Sequence, residues 1–280
     1  GSRPGVRGLA RAHGFYPALS PLRATMGGMC GRFAVTTDPA VLAQKIQAID
    51  ETAGAGGAGG SPGPNYNVAP TSTIATVVRR HTEPDDEPTR RIRAMRWGLI
   101  PPWTKASDDG RPDTKGPLLI NARAEKVTTS PAFRNSAKNK RCLVPMTGWY
   151  EWRGEKGNKT PFFMYGADGE PLFMAGLWST WRPKDAPPDA PPLISCTIIT
   201  TDAVGPLAEI HDRMPLSISA EDWDRWLDPD APIDEGLLRG HGDLDRIAIR
   251  EVSKLVNNVR NNGPELIEPV DTQPEQATLL

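Results

Sequence analysis

The chain has 280 residues, 38% hydrophobic and 24% charged, enough for one large domain or two small ones with a sizeable core. Its 33 basic and 34 acidic residues leave a net charge of −1, so any nucleic-acid surface is confined to a local patch. Three widely spaced cysteines and four histidines at no ligand-like spacing argue against a disulfide framework or a structural metal site, and neither a membrane span nor a secretion signal is visible, so a reducing, cytoplasmic protein without metal or cofactor is expected.

Residues 1–28 carry no acidic residue and no periodicity, and the opening Gly-Ser resembles an expression scar. They are expected to be a disordered extension or an over-long start, ahead of a single domain at 29–272 and a short tail at 273–280. Cys30 follows Met29 directly. An interior cysteine is usually a small buried hydrophobe. Removal of Met29 would instead leave an α-amine and a thiol on one residue. The amine, with a pKa near ~7.7–8.0, can form a Schiff base with an aldehyde, and the neighbouring thiol can close it to a thiazolidine.

A helix is expected in "DPAVLAQKIQAI" (38–49), capped by Asp38, with Val41, Leu42, Ile46 and Ile49 on one face. Loops are expected at 52–64, 107–117 and 182–192, all rich in turn formers. The runs "TIATVVRR", "RIRAMRWGLI", "LLINARAEKV", "RCLVPMTGWYEW", "PFFMYG", "PLFMAGLW" and "LISCTIITT" read as strands, and Ser219 with Asp222 has the spacing of a capping box before a second helix. The fold class is α+β, one domain on a curled antiparallel sheet or barrel flanked by short helices.

Four stretches between 65 and 149 could carry chemistry or bind DNA. "PNYNVAPT" offers Tyr66, Asn67 and Pro70, and "RWGLIPPW" offers Trp97 and Trp103; exposed rings stack on bases and a proline can wedge a base step, though both types are also common in cores and turns. In "INARAEKV", Asn121, Arg123 and Glu125 share a face if the segment is a strand, which suits them to anchor an amine and a phosphate. From Pro131 to Trp149 no acidic residue occurs among Arg134, Lys138, Lys140 and Arg141, a basic patch or merely a solvated face.

Two further segments bear titratable groups. In "GWYEWR", Glu151 alternates with rings, so it is either a carboxylate in a partly apolar pocket, suited to proton transfer, or a surface residue among aromatics. "HDRMP" offers His211 for proton movement and Arg213 for phosphate, against a purely structural histidine.

Taken together, "MCGRF", "YNVAP", "RWGLIPPW", "NARAE", "GWYEW", "HDRMP" and "VNNVRNNGPELIEP" resemble the SOS response-associated peptidase (SRAP) family, in order from Met29 to about Val270. The resemblance implies an SRAP fold and a covalent thiazolidine link between Cys30 and the ring-opened sugar of an abasic site in single-stranded DNA, including at single-strand/double-strand junctions. It implies that the link shields the lesion, as part of a nucleoid-associated DNA damage response, with a monomer as the default state. By the same resemblance Cys30 is the nucleophile, Asn121 positions its amine, and Glu151 and His211 move protons. Arg32, Arg123 and Arg213 are implied phosphate contacts, with Trp97 for base stacking and Pro70 as the wedge. Two competing readings are a cysteine autopeptidase that removes its own N-terminal segment with His211 as base, and a non-covalent reader of single-stranded or modified DNA indifferent to Cys30→Ala.

Overall fold

A computed structural model describes residues 31–52 and 63–270. Cys30, the extension before it, most of the Gly/Ala-rich loop and the last ten residues lie outside the described residues.

In chain order the strands are β1 (Phe33–Val35), β2 (Ile49–Asp50), β3 (Asn65–Val68), β4 (Thr73–Arg80), β5 (Thr89–Trp97), β6 (Asn121–Arg123) and β7 (Arg141–Met146). They continue with β8 (Gly148–Arg153), β9 (Thr160–Gly166), β10 (Leu172–Trp181), β11 (Leu193–Asp202), β12 (Arg213–Pro215) and β13 (Ile247–Glu251). Among the described residues four short α-helices accompany them: α1 (Pro39–Lys45), α2 (Arg134–Asn139), α3 (Trp223–Leu227) and α4 (Glu235–Arg239).

Two sheets carry the molecule. One has the order β13-β9-β8-β1-β3, the other β12-β11-β10-β7-β4-β5-β2 with β6 alongside β11. An additional pairing of β11 with β5 closes β4, β5, β7, β10 and β11 into a ring, so five of these strands form a small barrel without a free edge among them. The ladders are mainly antiparallel as expected; the pairings of β11 with β5 and β6, and of β2 with β5, are parallel. The barrel strands suit their role: β4 reads "TIATVVRR" and buries five consecutive positions, because its β-branched residues are covered on both faces.

Three expectations need correction. The first helix starts as predicted, with the Asp38 carboxylate accepting from Ala40 N at 2.8 Å, but it ends at Lys45, and Ile49 begins β2 with half its surface exposed. Ser219 makes no side-chain cap; Ala220–Asp222 is a 3-10 turn leading into α3, whose Trp226 and Leu227 are buried. The strand in "LLINARAEKV" stops at Arg123, and Ala124–Lys126 turns in a 3-10 helix that delivers Val127 to the core. Between β7 and β8 only Thr147 intervenes, so the chain steps from the barrel to the other sheet. Gly148 permits that step: a Cβ there would lie 2.2 Å from the Met164 carbonyl oxygen.

Candidate functional site

β1 lies antiparallel to β8, with Phe33 opposite Trp149 and Ala34 opposite Gly148. Tyr150 N donates to Arg32 O at 3.0 Å, so the pairing extends one residue beyond the strand's formal end. Glu151 is 4% exposed. The carboxylate that sequence left undecided between pocket and surface is therefore inside, with Trp149 buried on its own face of the strand and Tyr150 buried on the other. Burial pushes the Tyr150 hydroxyl well above its ordinary range against the opposing pull of Arg250 and Arg32, and it donates to Tyr66 O at 2.7 Å.

Arg32 is also buried, with 1% exposure. Its Nη1 donates to Asn67 Oδ1 at 2.6 Å and to Val256 O at 3.0 Å. Asn67 in turn donates from Nδ2 to the carbonyls of Val256, Asn258 and Asn261. The "VNNVRNNG" segment thus wraps onto β3 through backbone oxygens, and Asn67, which sequence placed among possible base contacts, is a buried hub. Pro70 and Thr71 follow in a partly exposed turn, where Thr71 takes a positive φ of 75°.

β6, which begins at Asn121, and β12, which begins two residues after His211, both pair with the end of β11. β6 pairs Asn121 with Ile198 and Arg123 with Thr200, while β12 pairs Pro215 with the same Thr200 and Arg213 with Asp202. Asn121 is half-buried and Arg123 exposed. Arg213 is buried instead of free: its Nη1 donates to Asp202 at 2.5 Å, and its Nη2 to Glu125 at 3.0 Å and Thr200 O at 2.8 Å. Burial would lower the Arg213 pKa, yet Glu125 and Asp202 outweigh it and hold the guanidinium more basic than usual. Burial likewise opposes ionisation of Glu125, and its own backbone N–H with Arg213 overcomes this, leaving the carboxyl below its ordinary range. Arg213 thereby ties β11 and the turn at Glu125 to β12.

His211 is half-buried just ahead of β12. Arg213 N donates to its Nδ1 at 3.1 Å, and the Asp212 carboxylate lies 2.9 Å from the same nitrogen. A neutral ring accepts the first with Nδ1 while Nε2 carries the proton; a protonated ring can give Nδ1–H to the second. The imidazole has a partner in either protonation state.

Trp97 does not face solvent. It is fully buried, edge-on to Phe33 at 5.0 Å between ring centroids, and its indole N–H donates to Ile120 O at 3.0 Å. Its place in the site is to hold the backbone directly before Asn121. Trp103, the other ring of that stretch, is 55% exposed. Arg141 also leaves the expected basic patch: it is buried and donates to backbone oxygens of Ala137, Lys138, Trp226 and Ala231.

One apolar cluster underlies all of these segments. It contains Phe33, Val68, Trp97, Trp149, Ile198 and Met214, with Ile120 and Ile210 packed against it, so immediate or next-but-one neighbours of Arg32, Asn67, Asn121, Glu151, His211 and Arg213 share one core. Cys30 lies outside the described residues, two positions before Arg32.

These features define a mostly β, single-domain α+β protein whose polar side chains gather where two sheets share a core. The family model for SOS response associated peptidase (SRAP) matches residues 29–259, and the chain belongs to this family. It is 36% identical over 245 residues to the "Abasic site processing protein YoqW" of Bacillus subtilis, covering 86% of this chain and 99% of that protein. To the chicken "Abasic site processing protein HMCES" it is 32% identical over 233 residues, covering 74% and 67% respectively. A crystal structure of a Bacteroides thetaiotaomicron protein shares the fold with a TM-score of 0.68 at 22% identity, over 86% of this chain and 99% of that one. Among the described residues, no helix is long and apolar enough to cross a membrane.

Proposed function

We propose that this chain processes abasic sites in single-stranded DNA by attaching itself to them through Cys30. The observation that carries the reading is the buried Glu151 on β8, the strand paired with β1, which begins three residues after Cys30. Family membership and relatives named for abasic-site processing support it.

In this reading Met29 is removed and Cys30 carries a free α-amine. His211 passes a proton as the deoxyribose ring opens to its aldehyde, a task suited to a ring that has a partner in both charge states. The amine adds to the aldehyde carbon and water leaves, giving an imine; Glu151 supplies and receives the protons of that exchange. The thiol sulfur then bonds to the imine carbon, its proton passes to the nitrogen, and a thiazolidine results with no external oxidant or reductant. Asn121 positions the amine, exposed Arg123 takes a backbone phosphate, and Trp103 with Pro70 offers the apolar surface beside the strand.

The test is a denaturing gel with intact-mass analysis of abasic single-stranded DNA mixed with protein begun at Met29, with its Cys30→Ala variant, and with all 280 residues. A shifted covalent band only when Cys30 is the free N-terminus is expected. No band from protein whose first residue is verified as Cys30 would overturn the reading. The family's description as a peptidase motivates a second reading, which predicts that the full chain shortens itself between Met29 and Cys30 without DNA, visible in the same mass spectrum.

A further inference from the structure

Beyond Pro70 the molecule holds a cavity of about 610 Å³, walled by the Ala69–Thr73 turn, the loop at Arg111–Thr114, the connection from Trp181 to Leu193 and the segment at 259–262. Four arginines line it, Arg96, Arg111, Arg182 and Arg260, and no carboxylate stands among the described lining residues. Arg96 is the decisive one. It projects from β5 with the parity of buried Ile92, and unlike Arg90 at the outer end of that face it is buried. It is 7% exposed; Nη1 donates to Gly98 O at 2.5 Å, whereas Nε has no protein acceptor. Gly98 sits there with a positive φ of 116°, and a Cβ on it would come within 2.8 Å of that Nη1.

A buried guanidinium without a carboxylate is costly unless an anion completes it. The remaining lining fits an anion that carries something flat: the hydroxyls of Thr71, Ser72 and Thr114 stand near the arginines, and Pro70, Trp181 and Leu193 supply apolar wall. Arg111 and Arg182 are engaged only lightly, the first 3.6 Å from its neighbour Asp109 and the second through one bond to Pro188 O.

We propose that this cavity is a nucleotide site, in which Arg96 and its companion arginines hold a phosphate ester and the apolar wall receives the attached base. Two sources share that chemistry: the nucleotide flanking the lesion on a bound strand, or a free nucleotide. The first rests on the function proposed above, since Asn67 lines the cavity while binding Arg32, two positions from Cys30.

The experiment uses the full chain bearing Cys30→Ala, so that no outcome depends on covalent chemistry. Binding of dAMP, inorganic phosphate and an undamaged oligothymidylate is measured by titration calorimetry, with and without Arg96→Gln, and separately with the surface pair Arg182→Ser and Arg260→Ser, which avoids a buried substitution. Saturable binding weakened about tenfold or more in both backgrounds is expected, the range of a lost charge-assisted contact. Binding of dAMP identifies a free nucleotide; binding of the oligonucleotide alone, competed by phosphate, identifies a flanking one. If neither probe binds, or if binding is indifferent to both sets of substitutions, the site does not exist. That result would leave the crosslinking reading intact, because its own gel is independent of these arginines.

Discussion

The closed barrel and the sheet that carries β1 solve the same problem by different means. In the barrel, β4, β5, β7, β10 and β11 satisfy one another's backbone groups around the ring and pack largely aliphatic residues such as Val77, Ile92, Leu143 and Leu177. In the other sheet, β1 has three residues and is clamped from outside by Arg32, Asn67 and three backbone carbonyls nearly two hundred positions away. The barrel is stabilised by area and tolerates local change; the β1 region depends on a few polar atoms whose partners are not interchangeable. Residues argued to do chemistry sit where the second strategy meets the first.

This contrast can be broken at its seam. Trp97→Ala removes a buried indole that belongs to the barrel and holds the backbone before Asn121, and should cost about 3–5 kcal/mol in urea unfolding. If it costs less than about 1 kcal/mol, the two regions do not share a core in the way described. Asn67→Ala should cost about 2–4 kcal/mol, because it removes a buried amide that binds Arg32 and the carbonyls of Val256, Asn258 and Asn261. Hydrogen exchange sharpens that comparison: amides near 256–261 should lose protection in this variant while those of β10 and β11 keep theirs.

Trp97→Phe keeps one aromatic ring but loses the rest of the buried indole with its N–H, so about 1–3 kcal/mol is expected, together with a shift in the Asn121 side-chain amide resonances. The smallest effect concerns pH. The Glu125 carboxyl lies below its ordinary value in the folded chain, so its stabilising contribution is complete above the unfolded pKa of ~4.3 and disappears as pH falls through the lower folded value. Because Glu125 is half exposed, Glu125→Gln should reduce stability at pH 7 by less than about 1 kcal/mol, and the difference from the parent should vanish in acid.

Most strands were legible because their composition is decisive: "TIATVVRR" is β4 residue for residue, its β-branched run leaving no competing period. "LLINARAEKV" misled because the 3-10 turn at Ala124–Lys126 preserves alternation in sequence while ending the ladder in space. Partners beyond local reach were the main loss. Arg141 looks like one more cation in a basic run, and only the return of α3 and the residues after it, some 85–90 positions later, shows that its hydrogens end on carbonyl oxygens. Which tryptophan of "RWGLIPPW" is exposed depends on Trp97 lying opposite Cys196 in the barrel, a register that the stretch alone does not encode. Arg96 left no clear trace: on β5 it shares its parity with Arg90 as well as Ile92, so alternation alone does not mark it as buried.

The Asn67 hub also sets an order of events during synthesis. A chain that has emerged as far as residue 250 can pair β1 with β8 and close the barrel, yet the carbonyls of Val256, Asn258 and Asn261 do not exist for it. That half of the clamp is translated nearly two hundred positions after Asn67. A nascent protein thus holds β1 by its ladders to β3 and β8 alone, and the clamp closes over them only once the segment at 256–261 has been made.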